Sequence, residues 1–376
     1  MRKMPALYGL PTARQIYRVT NIEDVAAEWA PGLRFLVKIA TEDDVGTVAR
    51  LIKSGLTGLS AAQAAGLEIG DIVLPIPDKD EVIVLYRESD LHHSLFLTNR
   101  CNSYCLMCSQ PPTKQDDSWL VEEAIDIVRH IRVSPSVLGI SGGEPLLLGA
   151  GLRKVLDCIE KFHPETHIEV LTNGRLFCNP RTVEVVLSNL TAQATWLVPL
   201  YGHADFVHDF VVQTPGAFEE TLAGLLALRE ARKSVQLRVV LIEPTLRVLP
   251  ELCGFVGRNL PFVREVALMG CEPIGFALAN REQCEVDLAE WTGMIDQAGK
   301  LLRRLRVPFV LMNVPLCALP KALWKHAHRS ISDWKNVYAN ECSSCEVKDK
   351  CAGLFAWHER GWKPATIRPI TEGAVL

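Results

Sequence analysis

From about residue 92 the apolar positions fall into short runs separated by longer stretches with helical spacing. The runs cover 94–98, 137–141, 167–172, 195–200, 235–242 and 265–269, and between them 121–132, 151–162, 218–231 and 249–259 repeat apolar residues every three or four positions. Short apolar strands alternating with amphipathic helices predict a parallel βα repeat. Six such units suit a partial barrel, (β/α)6, open on one side. In folds of this kind the reactive groups gather at the C-terminal ends of the strands.

Before this repeat the pattern is mixed. The run 33–39 reads as a strand, and Thr41 with Asp44 starts a helix carrying Val45, Val48, Leu51 and Ile52. The runs 70–76 and 82–86, joined through Pro77-Asp78-Lys79-Asp80, read as a β-hairpin. After the repeat, 288–305 reads as a helix and 309–317 as a strand that ends in Cys317. The expected class is therefore α/β, with three parts: a small N-terminal α+β domain over 1–90, a barrel over 91–285 and a cysteine-rich C-terminal domain over 286–376. The N-terminal part carries no chemical motif and serves as a structural cap, as a cover for the barrel mouth or to present a substrate.

Composition narrows the classes. With 376 residues, 48% of them hydrophobic, the chain can bury a sizeable core. A net charge of −4 lacks the basic excess that phosphate backbones select, so no nucleic-acid partner is expected. No apolar run approaches the ~18 residues that span a bilayer, and the first residues lead into no signal-peptide core, so a cytoplasmic protein without a membrane partner is expected. Twelve cysteines in such a compartment are reduced thiols, and their clustering points to metal. Cys158, Cys178, Cys253, Cys271 and Cys284 are scattered and read as small buried hydrophobes.

The first strand of the repeat ends in Cys101-Asn-Ser-Tyr-Cys105-Leu-Met-Cys108. Three thiolates on one tight loop can hold three irons of a cubane cluster and leave the fourth iron open for chemistry. A zinc knuckle short of one ligand is the competing reading. The second strand ends in Ser141-Gly142-Gly143-Glu144-Pro145, where glycines let the backbone approach a ligand, and the third in Thr172-Asn173-Gly174, a polar turn. At the mouth, Tyr201, His203 and Asp205 after the fourth strand and Glu272 after the sixth are candidates for substrate contact or proton relay, while His208 and Asp209 could close a turn and cap the next helix. A second thiol set, Cys317, Cys342, Cys345 and Cys351, can satisfy all four irons of another cluster, or a tetrahedral zinc.

The three-cysteine loop followed by Gly-Gly-Glu-Pro resembles the radical S-adenosylmethionine (SAM) enzymes over roughly residues 92–280. The resemblance implies a [4Fe-4S] cluster on Cys101, Cys105 and Cys108, with the methionine end of SAM chelating the fourth iron. It implies that Gly142, Gly143 and Glu144 meet the cofactor's amine and that Thr172, Asn173 and Arg238 meet its ribose or carboxylate. The residue before the third cysteine is usually aromatic and packs on adenine; here Met107 makes that contact a softer apolar one. The implied activity is reductive cleavage of SAM to a 5′-deoxyadenosyl radical that removes hydrogen from a substrate.

The spacing Cys342-x2-Cys345-x5-Cys351 resembles the SPASM and twitch extensions that carry an auxiliary [4Fe-4S] cluster in radical enzymes acting on peptides. The run 101–112, with Pro315-Leu316-Cys317, Ile331-Ser332-Asp333-Trp334-Lys335-Asn336 and the closing cysteines, is similar to His-Xaa-Ser system maturases of the HxsC type. That resemblance implies a ribosomally made precursor peptide or small protein as substrate, a second radical SAM maturase as partner and an external reductant such as a flavodoxin or ferredoxin. Two alternatives stand beside it: a radical SAM enzyme of a small-molecule cofactor precursor, and a noncatalytic iron–sulfur electron-transfer partner.

Overall fold

A computed structural model describes residues 2–5, 15–63, 66–329, 336–355, 362 and 366–371. The N-terminal sheet is built from β1 (Arg2–Pro5), β2 (Tyr17–Thr20), β3 (Phe35–Lys38), β4 (Leu59–Ala62), β5 (Ile72–Ile76) and β6 (Glu81–Tyr86) in the order β1-β6-β5-β2-β3-β4. The expected hairpin is present as the antiparallel pair β5 and β6. The helix Glu42–Lys53 starts on the expected capping box, Thr41 and Asp44 each bonding the other's main chain. Its apolar stripe is narrower than the sequence implied: Val48 is buried, while Val45 and Ile52 face outward.

The second sheet holds β7 (His93–Phe96), β8 (Val137–Ser141), β9 (His167–Leu171), β10 (Ala194–Pro199), β11 (Ser234–Leu241), β12 (Glu265–Gly270), β13 (Phe309–Met312) and β14 (Ala327–His328). They pair in strict chain order and all are parallel. All six strands read from the repeat are there. Two more extend the same sheet past residue 285, so the stretch assigned to a separate C-terminal unit supplies β13 and β14 to the barrel.

Period-two alternation explains the two faces of this sheet. Along β11, Val235, Leu237, Val239 and Leu241 are buried under the helices, whereas Gln236, Arg238 and Val240 are half-buried on the inner face. Trp196 of β10 is fully buried among the outer layer, edge-on to Phe177 at 5.0 Å between centroids. The inner face is polar instead: Glu169, Gln236, Arg238 and Glu265 line it, with the Gln236 amide donating to Glu265 at 2.6 Å. The two sheets meet through the helix Trp119–His130, whose buried His130 accepts the Arg34 main-chain N–H at 2.9 Å. Of the motif at 331–336, residues 331–335 lie outside the described residues.

Candidate functional site

The cysteine loop leaves β7 at the C-terminal edge of the barrel sheet and is held from four directions. Buried Asp117 accepts the Thr98 hydroxyl at 3.0 Å, the Asn99 main-chain N–H and the Asn99 amide at 3.1 Å, fixing where the loop begins. Buried Arg175, just past β9, donates to Asn102 O at 2.5 Å and Ser103 Oγ at 2.9 Å, and pairs with Glu220 at 2.7 Å. The end of the helix Asp205–Val212 accepts Tyr104 N–H and Leu106 N–H on Val212 O and Val211 O. From the turn after β12, Phe276 N–H donates to Cys108 O at 2.8 Å and the Asn280 amide to Leu106 O at 2.9 Å.

The loop leaves its three thiols partly buried. Burial pushes Cys101 up to about 11 and Cys105 up to about 12, and raises Cys108 as well; Cys101 and Cys105 each also feel Cys108. As free thiols these groups stay protonated, and only a metal centre makes them thiolates. Among the described residues no three Cys, His, Asp or Glu side chains close on the position of a single ion. The fit therefore rests on the donor set: three sulfurs on one anchored loop match three corners of a cubane.

Gly142 and Gly143 lie directly beneath this loop. A Cβ on Gly143 would stand 2.3 Å from Arg100 O, and one on Gly142 2.8 Å from Thr98 O. Their strand end is stitched to the loop by Gly143 N–H to Thr98 O at 2.7 Å and Glu144 N–H to Arg100 O at 2.8 Å. The Glu144 carboxylate is fully buried and accepts Leu146 N–H at 2.9 Å, the Thr172 hydroxyl at 2.5 Å and Asn173 N–H at 2.6 Å. Burial still holds this carboxyl above the usual range, because the hydrogen bonds from Thr172, Leu146 and Asn173, and after them the Arg175 guanidinium, offset it only in part. The Asn173 amide donates to Asn102 Oδ1 at 2.6 Å, so the turn after β9 also grips the cysteine loop. Thr172 bonds Glu144, and Asn173 bonds both Glu144 and Asn102, so the two residues tie the turns after β8 and β9 to the cysteine loop.

Deeper on the inner face, Arg238 donates through Nε to Gln236 at 3.1 Å and approaches Met269 Sδ at 3.8 Å. Burial lowers its pKa, against the fields of Glu169, Tyr201 and Glu265. Met107 and Tyr201 are both buried in one apolar cluster with Leu106, Val211, Ile242 and Cys271. Burial and the thiols of Cys105, Cys108 and Cys271 push the Tyr201 phenol well above its ordinary value, which keeps it neutral.

The remaining mouth residues separate. His208 is buried, and its Nδ1 accepts Tyr201 N–H at 3.2 Å, so the tautomer carries its proton on Nε2, facing the Thr221 hydroxyl at 3.5 Å. Asp209 accepts Gly216 N–H and Phe218 N–H at 2.6 and 2.7 Å and so caps the helix Ala217–Glu230. Asp205 is exposed and bonds the Phe206 N–H at 2.8 Å at the start of its own helix. His203 Nδ1 is buried without a hydrogen-bond partner among the described residues. Glu272 sits half-buried beside Cys271, at the head of the segment that clamps the loop. Of the scattered cysteines, Cys178 is exposed, against the expectation of burial, because it closes the 3-10 turn Arg175–Cys178 at the surface. Cys271 and Cys284 are buried and hydrogen-bonded to one another.

The four C-terminal cysteines, Cys317, Cys342, Cys345 and Cys351, line a single pocket with Tyr338 and Arg368. Leu316 N–H and Gly353 N–H both point at Cys351 Sγ from 3.4 Å. Gly353 is required there: its φ is +63° and a Cβ would meet Val337 O at 2.5 Å. A complete tetrad of sulfurs suits a closed cluster or a closed zinc site alike.

Asp117, Arg175 and the clamping residues Phe276 and Asn280 were not legible as site residues. Asp117 reads in sequence as one of several acids ahead of a helix, and Arg175 as an ordinary turn residue. Only the folded contacts disclose their hold on the loop.

Residues 95–256 match the family model of the Radical SAM superfamily. Over that stretch the chain resembles a radical SAM domain. No curated protein matches the chain. Among solved structures, Streptococcus suis SuiB bound to S-adenosylmethionine is similar at 14% identity over 61% of this chain and 51% of that one, with a TM-score of 0.48. Native anSMEcpe with bound AdoMet and Cp18Cys peptide is similar at 15% identity over 57% of this chain and 62% of that one, TM-score 0.45. A radical SAM methyltransferase from Sphaerobacter thermophilus is similar at 15% over 69% and 74%, TM-score 0.44. The chain spans about half the length of the first of these.

Proposed function

We propose that the protein is a radical SAM maturase that removes hydrogen from a ribosomally made precursor peptide or small protein, of the His-Xaa-Ser type that the sequence resembles. One observation carries the reading: an anchored loop presents three thiols and no fourth, directly over the Gly-Gly-Glu turn. Cys101, Cys105 and Cys108 would hold the [4Fe-4S] cluster. When bound, the cluster and SAM together supply a 5′-deoxyadenosyl radical. The chain's own residues prepare for this. Gly142 and Gly143 bring main-chain groups close under the cysteine loop, and Glu144, raised by burial, would gain from the cofactor's ammonium. Thr172 and Asn173 keep Glu144 aimed. Arg238 offers a desolvated guanidinium to a carboxylate, and Met107 and Tyr201 close the apolar wall that excludes water.

Cys317, Cys342, Cys345 and Cys351 support an auxiliary cluster, whose full set of thiolates suits electron relay better than substrate binding. An external reductant of the flavodoxin or ferredoxin type would feed it. Arg238 on the inner face also favours a second reading, a small carboxylate-bearing substrate.

The test is anaerobic reconstitution with iron, sulfide, reductant and SAM, followed by assay for 5′-deoxyadenosine and mass measurement of a coexpressed precursor protein. Formation of 5′-deoxyadenosine with a mass change in the precursor supports the reading. Intact clusters without 5′-deoxyadenosine would falsify it.

A further inference from the structure

β7 is the outer strand of the barrel sheet, and among the described residues it pairs with β8 alone. Leu97 N–H carries the ladder onward to Ser141 O at 2.9 Å. In a parallel ladder, alternate residues bond the same neighbour, so Leu95 faces β8 with Leu97, while the main-chain N–H and C=O of Ser94 and Phe96 face outward. What they face is a groove of about 500 Å³. Leu85 of β6 forms one wall and Leu120 and Ile127 of the helix Trp119–His130 the other. At its far end lie Asn99 and Gln110, bonded to each other at 3.3 Å at the lip of the cysteine loop.

A second cavity of about 770 Å³, between the N-terminal sheet and the same helix, shares Trp119 and Glu123 with the first. The two adjoin at the 53%-exposed Trp119, and taken end to end they mark out a channel from the N-terminal sheet to the lip of the loop that bears the thiols.

We propose that this channel receives an extended polypeptide as an added strand on β7, bonded to the main chain of Ser94 and Phe96 and led by it to the barrel mouth. The inference rests on the peptide-modifying reading above. Three observations select this occupant. An unpaired strand edge offers donors and acceptors at strand spacing, which a polypeptide main chain alone returns. Four residues of β7 present about 13 Å of such edge, enough to hold a peptide in register. The groove ends at the lip of the cysteine loop, where Asn99 and Gln110 line it.

The test is fluorescence anisotropy on the full, cluster-loaded chain. The probe is a fluorescein-labelled peptide of four His-Ala-Ser repeats, set against the same peptide with alternate amides N-methylated. In strand addition the main chain supplies most of the affinity, so this probe suffices. Methylation should weaken binding about tenfold, the loss of one or two hydrogen bonds. Ser94→Pro removes an outward N–H that the β8 ladder does not use, and should weaken binding of the plain peptide to a similar extent. The SAM cleavage that this variant performs without substrate should be unchanged, which shows the barrel intact.

Equal binding of both peptides, or by both proteins, overturns the channel and leaves the peptide-modifying reading standing. No binding at all by the wild type also overturns the channel. If that preparation still converts a precursor protein, the functional reading survives by another route; if it does not, both fall.

Discussion

The Thr172 hydroxyl donates to Glu144 Oε1 at 2.5 Å, locking the turn after β9 to the turn after β8 beneath the cysteine loop. Glu144→Gln tests that lock. A carboxamide keeps one oxygen for Thr172 and Leu146 but turns an N–H₂ against the Asn173 N–H that Oε2 now accepts. An unmet donor in a fully buried place costs roughly 1–3 kcal/mol. Denaturant unfolding should show that loss, and equilibrium dialysis of the cluster-loaded protein should show weaker SAM binding.

Gly143→Ala places a methyl group 2.3 Å from Arg100 O, closer than any rotamer change can relieve, since both partners are backbone. The loop must move, so iron incorporation during reconstitution should fall several-fold. Gly293→Ala is the control. It lies in the helix Thr292–Arg304 with open space at its Cβ and should stabilise the protein by up to ~1 kcal/mol with iron content unchanged.

Asp117→Ala leaves the Thr98 hydroxyl and the Asn99 main-chain N–H without their buried acceptor. The expected loss is about 2–4 kcal/mol of stability. Because Asn99 opens the cysteine loop, iron content should fall with it, measured per protein after anaerobic reconstitution. Unchanged iron in a destabilised variant would show that the loop holds without this anchor.

The barrel was readable because its strands are apolar on the helix side and spaced by helices with a clear period, as in β11 with Val235, Leu237, Val239 and Leu241. The extension of the sheet was not. β13, Phe309–Met312, falls within the run 309–317 that reads as a strand, whereas β14, Ala327–His328, is too short for periodicity to register; that both join this sheet is decided by hydrogen bonding to β12 and β13. The thiols and the Gly-Gly-Glu turn stand out in sequence because their chemistry is local. Arg175 meets Asn102 across 73 positions and Asn280 meets Leu106 across 174, and such contacts leave no local trace.

His208 gives the site an acid limit. Its ring is neutral in the fold, with a pKa lowered to about 4 by burial, against 6.5 for the ordinary group. Between those values the unfolded chain binds the extra proton, so stability falls as pH drops from about 6.5 towards 4 and shows no slope from this group above that range. The window corresponds to roughly 3 kcal/mol. His208→Asn keeps an acceptor for Tyr201 N–H but does not titrate. Unfolding free energies of the two proteins should therefore converge, or cross in favour of Asn, as pH falls through the window. Parallel curves would remove His208 as the cause.

Two thiol groups in one chain make their metals separable by substitution. Cys101, Cys105 and Cys108 stand on the loop after β7, while Cys317, Cys342, Cys345 and Cys351 close a pocket beyond β13. If each holds a cubane, replacing the first three by alanine should leave about half the iron and sulfide of the wild type and abolish SAM cleavage. Cys351 is the sharper probe of the second group, because two main-chain N–H groups aimed at its sulfur stabilise thiolate charge there. Cys351→Ala should remove the other half of the iron while SAM cleavage by a strong chemical reductant persists. Metal analysis decides the occupant: one zinc per chain surviving in the triple alanine variant, with no iron, assigns the second tetrad to a structural ion and leaves the first group's assignment untouched.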